Sequence, residues 1–210
     1  MPAPDFDLYL VTDRRLIQRR DVYWTLEQAL DGGVKAVQIR EKDLEGGELF
    51  RLAERVQRLC KRYRAALFIN DRIDVALSVQ ADGVQLGKNS LPLNIARELL
   101  GRERMIGAST HSLAEASEAQ HQGADFILFG PVFFTPSKAV YGAPQGLAAL
   151  RKIVENISVP VYAIGGVNAQ NVEEVMNLGV HGVALISAVM AELDPKASTR
   201  RMLDILHQGS

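Results

Sequence analysis

Residues 31–43 read DGGVKAVQIREKD. Asp31, Gly32 and Gly33 close a helical pattern. Ala36, Val37, Gln38 and Ile39 then begin like a buried strand, and Arg40, Glu41, Lys42 and Asp43 follow with no turn residue between. A strand that runs straight into two cations and two acids ends either on a solvated face or at the charged rim of a site. The same unit of helix end, small residue, apolar run and polar cluster returns as VQADGVQLG (79–87), HQGADFILFG (121–130) and NLGVHGVALIS (177–187).

The short apolar runs are LYLVT (8–12), AVQIR (36–40), ALFIN (66–70), GVQLG (83–87), MIGAS (105–109), FILFG (126–130), VYAIGG (161–166) and GVALIS (182–187). Near-continuous apolar runs, rather than clean alternation, mark strands covered on both faces, as in parallel sheets. Amphipathic stretches lie between them. DVYWTLEQALDGG (21–33) starts on the N-cap Asp21 and stops on Gly32-Gly33. EGGELFRLAERVQRLCKRY (45–63) puts Leu49, Leu52, Val56 and Leu59 on one face. SLAEASEAQHQGA (112–124) opens with a capping box from Ser112 to Glu115, and a further helix is expected from Asn168 to Gly179. Strands alternating with helices, with no linker-like break, predict a single α/β domain over residues 1–210, a (β/α)8 TIM barrel. A doubly wound open sheet is the alternative; against it, TDRRLIQ follows the first strand where a dinucleotide fold carries Gly-x-Gly-x-x-Gly.

Composition narrows the function. The 210 residues are 47% hydrophobic and 23% charged with a formal net charge of -1, which argues against non-specific nucleic-acid binding. The one cysteine, Cys60, cannot form an internal disulfide, so a reducing cytoplasm is expected. No apolar run approaches the roughly 20 residues of a membrane helix, and the N-terminus lacks the pattern of a secretory signal.

In a parallel barrel the C-terminal strand ends and the loops after them converge on one mouth. Gln38, Arg40 and Lys42 fall there from the second strand, Asn70 and Asp71 from the third, and Lys88, Asn89 and Ser90 from the fourth. Ser109, Thr110 and His111 follow the fifth, Thr135, Ser137 and Lys138 the sixth, Gly165 and Gly166 the seventh, and Ser187 the eighth. Arg40, Lys42, Lys88 and Lys138 concentrate positive charge at that pole, which suits a polyanion, and Asp71 among them could hold a divalent metal on it. The segments after strands 7 and 8 suit a phosphate bound through backbone N–H groups. Two phosphorylated substrates or one bisphosphate would fit such a mouth.

The ordered set QIREK, NDR-DVA, GVQLG, STHS--EA, GPVF-TPSK, AIGGV and ALISA resembles the thiamine phosphate synthase family, together with its near relative the thiazole tautomerase, from about Leu8 to Leu206. The resemblance implies joining of a hydroxymethylpyrimidine diphosphate to a thiazole phosphate with release of pyrophosphate, with Mg2+ as cofactor. It implies that Gln38 touches the pyrimidine, that Arg40, Lys42, Asn70, Ser109 and Lys138 hold the diphosphate, and that Asp71 binds Mg2+. Thr135 and Ser137 would contact the thiazole, and Gly166, Ile186 and Ser187 would cradle its phosphate. A homodimer stays open by family analogy.

One departure matters. Synthases typically read Gly-Gln-Glu-Asp after the fourth strand, and that Asp is the second metal ligand; here Gly87-Lys88-Asn89-Ser90 stands there, with Ser90 in the acid's place. The tautomerase is metal-free and shifts a proton with a histidine after the fifth strand, the place of His111, so an isomerase is the alternative. A barrel that binds a thiamine precursor without turnover is the third reading.

Overall fold

The computed structural model describes residues 4–135 and 143–208. Eight strands form one closed parallel barrel in chain order: β1 (Leu8–Val11), β2 (Ala36–Ile39), β3 (Ala66–Asn70), β4 (Gly83–Leu86), β5 (Met105–Thr110), β6 (Phe126–Phe129), β7 (Val161–Ile164) and β8 (Gly182–Leu185). The ring closes where Leu8, Tyr9 and Leu10 pair with Val183, Ala184 and Leu185. The helices among the described residues are α1 (Val22–Gly32), α2 (Gly46–Tyr63), α3 (Ile73–Ser78), α4 (Leu93–Leu100), α5 (Leu113–His121), α6 (Gly146–Asn156), α7 (Val172–Met176), α8 (Ser187–Met190) and α9 (Pro195–Gln208), with a 3-10 turn at Arg14–Leu16. The TIM-barrel expectation holds.

The strands read as continuous apolar runs because they face two cores. One lies between the sheet and the helices and takes Leu10, Val37, Leu67, Val84, Ile106, Ile127, Ala163 and Val183 from the strands. The other fills the barrel and contains Phe6, Tyr9, Phe68, Phe126 and Tyr162. Their rings meet at centroid distances of 5.2 to 6.3 Å, mostly edge to face, the preferred geometry of aromatic pairs. The pairings stack interior residues in layers drawn from alternate strands. Tyr9, Phe68, Gly107 and Tyr162 form one layer. Above it come Gln38, Gln85, Leu128 and Ala184, and then Val11, Asn70, Ser109 and Ile164. The interior is therefore apolar at its N-terminal end and turns polar toward the mouth.

Helix ends follow local chemistry. Asp21 accepts the Trp24 N–H at 2.8 Å, and α1 ends on Gly33, whose φ of 117° is open to glycine and strained for other residues. Two helix starts differ from expectation. At α5 the Ser112 hydroxyl accepts the Glu115 N–H at 3.2 Å, but the Glu115 carboxylate reaches one residue further back, to the His111 N–H at 2.7 Å, so the box is not reciprocal. α7 starts at Val172 rather than Asn168, because Asn168 Oδ1 takes the Gln170 N–H and Asn171 Oδ1 takes the Asn168 N–H, a local turn that competes with helix. The eighth strand ends at Leu185, two residues early, where Ile186 leaves the sheet to cap α8. α9 docks on its own barrel beside α1, where Lys196 pairs with Asp31. Among the described residues no helix is long and apolar enough to cross a membrane.

Candidate active site

The charged run after β2 resolves into two acids tied to Arg14, one buried and one exposed, and two cations without an ion-pair partner among the described residues. Thr12 donates its N–H to Gln38 O at 2.9 Å and its Oγ1 accepts the Arg40 N–H at 3.0 Å, which staples the ends of β1 and β2 together. Glu41 is 5% exposed and accepts from the Arg14 N–H at 3.1 and 3.3 Å and from the Arg14 guanidinium at 3.2 Å. Arg14 also donates to Asp43 at 2.7 Å. Arg40 and Lys42 have no ion-pair partner among the described residues. Both acids thus meet Arg14, while Lys42 and Asp43 are exposed. Asp13 sits nearby. The hydrogen bond from Arg15 holds its carboxyl below the usual carboxylate range, and the charges of Arg15 and Arg40 lower it further.

Asn70 ends β3, and Asp71 follows in the left-handed region at φ 61°. Asn70 Nδ2 donates to Asp71 Oδ2 at 2.7 Å, and the Ser90 hydroxyl donates to Asp71 Oδ1. Ser90 Oγ in turn accepts the Gly87 N–H at 2.6 Å. The third and fourth strand ends thus meet at one carboxylate. Lys88 is exposed beside them.

On β5, Ser109 Oγ accepts from Gln85 Nε2 at 2.9 Å. Below, Gln38 Nε2 donates to the buried Tyr9 hydroxyl at 3.2 Å, and burial pushes the Tyr9 phenol well above its usual value. His111 is exposed, and its Nδ1 contacts the Gly130 carbonyl. A carbonyl only accepts, so Nδ1 is the donor in this contact.

Thr135 is half-buried after β6; Ser137 and Lys138 lie outside the described residues. Gly166, at φ 70°, sits where a Cβ would come 2.7 Å from Phe133 Cβ and 2.9 Å from Phe134 O, so only glycine lets the β7 loop lie against the β6 loop. The Asn168 and Asn171 side chains both donate to Gly166 O, at 3.1 and 3.0 Å. Ile186 and the exposed Ser187 open α8 beside that loop.

Every described candidate therefore lies at the C-terminal end of its strand. Direct contacts join Asn70, Asp71 and Ser90, whereas Gln38 is buried in the layer below and His111 is exposed after β5. Sequence reading did not single out Glu41, Arg14, Thr12 or Gln85. Gln85 carried a usable signal: it is a polar residue in an apolar run that occupies the same interior layer as Gln38. A cleft of about 520 Å3 lies elsewhere, walled by Asp194, Lys196, Arg200, Arg201 and Asp204 near α9. We place the site at the mouth because side chains of different strands converge there.

The residues present suit Mg2+ bound together with a polyphosphate. Among the described residues no cluster of three or more His, Cys, Asp or Glu could form an all-protein cage. Mg2+ commonly takes only one or two carboxylates, keeps waters and completes its shell with substrate phosphate oxygens. The Asp71 carboxylate, with the Ser90 oxygen hydrogen-bonded to it, is a donor set of that kind.

Residues 8–189 match the family described as thiamine monophosphate synthase. A sequence from Geobacter sulfurreducens is 49% identical over 206 residues, 98% of this chain and 97% of its own length. The thiamine-phosphate synthase of Clostridium acetobutylicum is 40% identical over 210 residues, covering 100% of this chain and 99% of its own. The solved structure of a thiamine phosphate pyrophosphorylase from Pyrococcus furiosus superposes with a TM-score of 0.90 at 41% identity, covering 97% of this chain and 96% of that one.

Proposed function

Because the chain belongs to the thiamine monophosphate synthase family, we propose that its barrel mouth joins hydroxymethylpyrimidine diphosphate to a thiazole phosphate, making thiamine phosphate and pyrophosphate. The activity is that of a transferase, thiamine-phosphate synthase. The observation that best supports this siting is the pairing pattern after β2, which ties both acids to Arg14 and leaves Arg40 and Lys42 without ion-pair partners among the described residues, with Asp71 at the end of the neighbouring strand.

In the reaction the methylene carbon–oxygen bond breaks, the electron pair leaves with pyrophosphate, and the thiazole nitrogen forms the new carbon–nitrogen bond. The residues act mainly by charge and position. Arg40, Lys42, Asn70, Ser109 and Lys138 hold the diphosphate and stabilise the charge that grows on it as it leaves. Gln38 orients the pyrimidine, Thr135 and Ser137 hold the thiazole, and Gly166, Ile186 and Ser187 grip its phosphate. Keeping both rings together removes much of the entropic barrier. Asp71 and Ser90 would hold Mg2+, which when bound supplies further neutralisation of the diphosphate. The bond changes require no side-chain nucleophile. With a single buried thiol, Cys60, a cytoplasmic setting suits the protein.

The test is product formation. Purified protein, both substrates and Mg2+ should yield thiamine phosphate and pyrophosphate in equal amounts. Conversion of a thiazole carboxylate phosphate isomer without metal, and with no pyrophosphate released, would overturn the reading in favour of an isomerase. Ligand-raised melting temperature without either product would point to binding alone.

A further inference from the structure

Gln85 is 1% exposed, in the interior layer directly beneath the mouth. Its two amide ends face different ways. Nε2 donates upward to Ser109 Oγ at 2.9 Å. Oε1 has no partner among the described residues and faces the layer below, where a Cβ on Gly107 would come within 2.2 Å of it. The absent side chain of Gly107 is thus the space that lets the carboxamide lie in this orientation. A buried acceptor without a donor is costly, so an amide kept in this pose has something to gain from its other end.

That end constrains the Ser109 hydroxyl. A hydroxyl has one hydrogen and two lone pairs. With a lone pair of Ser109 taken by Gln85, its hydrogen must point elsewhere, and the hydroxyl donates to no acceptor among the described residues. Ser109 is half-exposed in the layer that also carries Asn70, so the direction left open is the mouth.

We propose that Gln85 is a positioning residue: by donating to Ser109 Oγ it turns the Ser109 hydroxyl into a fixed donor aimed at the anion held in the mouth. The inference rests on the proposed function in taking that anion to be a diphosphate. Gln85 makes no contact with substrate in this scheme, because its donor is spent on Ser109 and its acceptor faces away. The orientation is set before the anion arrives, so the hydroxyl need not reorganise on binding or as charge grows on the leaving group.

The experiment is a double-mutant cycle on the full chain, with inorganic pyrophosphate plus Mg2+ as probe and calorimetry as readout. Gln85→Met keeps the length of the side chain and removes both polar ends; Ser109→Ala removes the hydroxyl. Each should weaken pyrophosphate binding by about fivefold, and the double variant should be no weaker than the worse single one, because Gln85 acts only through Ser109. Melting temperature should not fall in Gln85→Met, which loses an unpartnered buried acceptor; if that variant misfolds, Gln85→Leu replaces it. Unchanged affinity in the Gln85 variant, losses that multiply in the double variant, or no pyrophosphate binding by the wild type would each overturn the inference. If the wild type binds pyrophosphate but makes no thiamine phosphate, the proposed reaction falls, while the cycle still decides the role of Gln85.

Discussion

The Ser90 hydroxyl donates to Asp71 across the ends of β3 and β4. A hydroxyl beside a carboxylate gives a weaker cation site than two carboxylates, since Mg2+ favours charged oxygen donors. Ser90→Asp should therefore lower the Mg2+ concentration for half-maximal turnover by about tenfold, ~1.4 kcal/mol. Without metal the variant should melt lower than wild type, because two carboxylates then face each other. A metal titration of activity checks the first outcome and metal-free melting the second; an unchanged Mg2+ requirement would remove Ser90 from the metal shell.

Arg40 is held by its backbone N–H, which donates to Thr12 Oγ1, and its guanidinium has no ion-pair partner among the described residues. Arg40→Ala should reduce kcat/KM for the pyrimidine diphosphate by about 100-fold, ~2.7 kcal/mol. Arg40→Lys should recover part of it, because the charge returns without the planar fork. KM for the thiazole phosphate should move little. Steady-state kinetics with each substrate varied in turn decides this.

Asp125 closes the N-terminal end of β6. Its buried carboxylate accepts the Ile106 N–H at 2.6 Å and pairs with Arg97, which also donates to Arg104 O at 2.7 Å and Gly101 O at 3.1 Å. Removing one partner of a buried pair leaves the other uncompensated. Asp125→Ala should cost about 3 kcal/mol of stability, measured by urea unfolding, with a native-like far-UV spectrum.

Acid should weaken the fold through Asp13. Its carboxyl is held low, chiefly by the Arg15 hydrogen bond, so its folded value lies below its unfolded one. The stabilisation is present in full above the unfolded value, about pH 4, and is lost as pH falls through the lower folded value. Arg15→Ala should flatten the slope of melting temperature against pH below about pH 4. An unchanged slope would show that the pair contributes nothing.

Cys60 is buried on α2, and burial pushes its thiol up to about 12. Only the thiolate is nucleophilic. Iodoacetamide at pH 8 should leave the folded protein unlabelled and modify the urea-unfolded chain stoichiometrically, as read by mass spectrometry.

The barrel was legible in the sequence because a parallel strand covered on both faces must be apolar throughout, and that run length and its recurrence need no coordinates. The rim was legible for a related reason: polar residues placed just after each run land at one pole once the strands are parallel. Ile186 and Asn168 show the limit. Each lies where a local turn or cap competes with continuation of strand or helix, and the difference is settled by hydrogen bonds a few residues away.

DGGVKAVQIREKD by itself determined a helix end, a buried strand and a charged rim. It left open which charges of REKD would be spent, because that depends on a partner 27 residues earlier in the chain. Only the side-by-side pairing of neighbouring strands brings Arg14 against Glu41 and Asp43, Ser90 against Asp71, and Gln85 against Ser109. Hydropathy is a property of each residue and survives in the linear order. A hydrogen bond is a relation between two residues at about 3 Å, and the order of residues does not display it until the strands have paired.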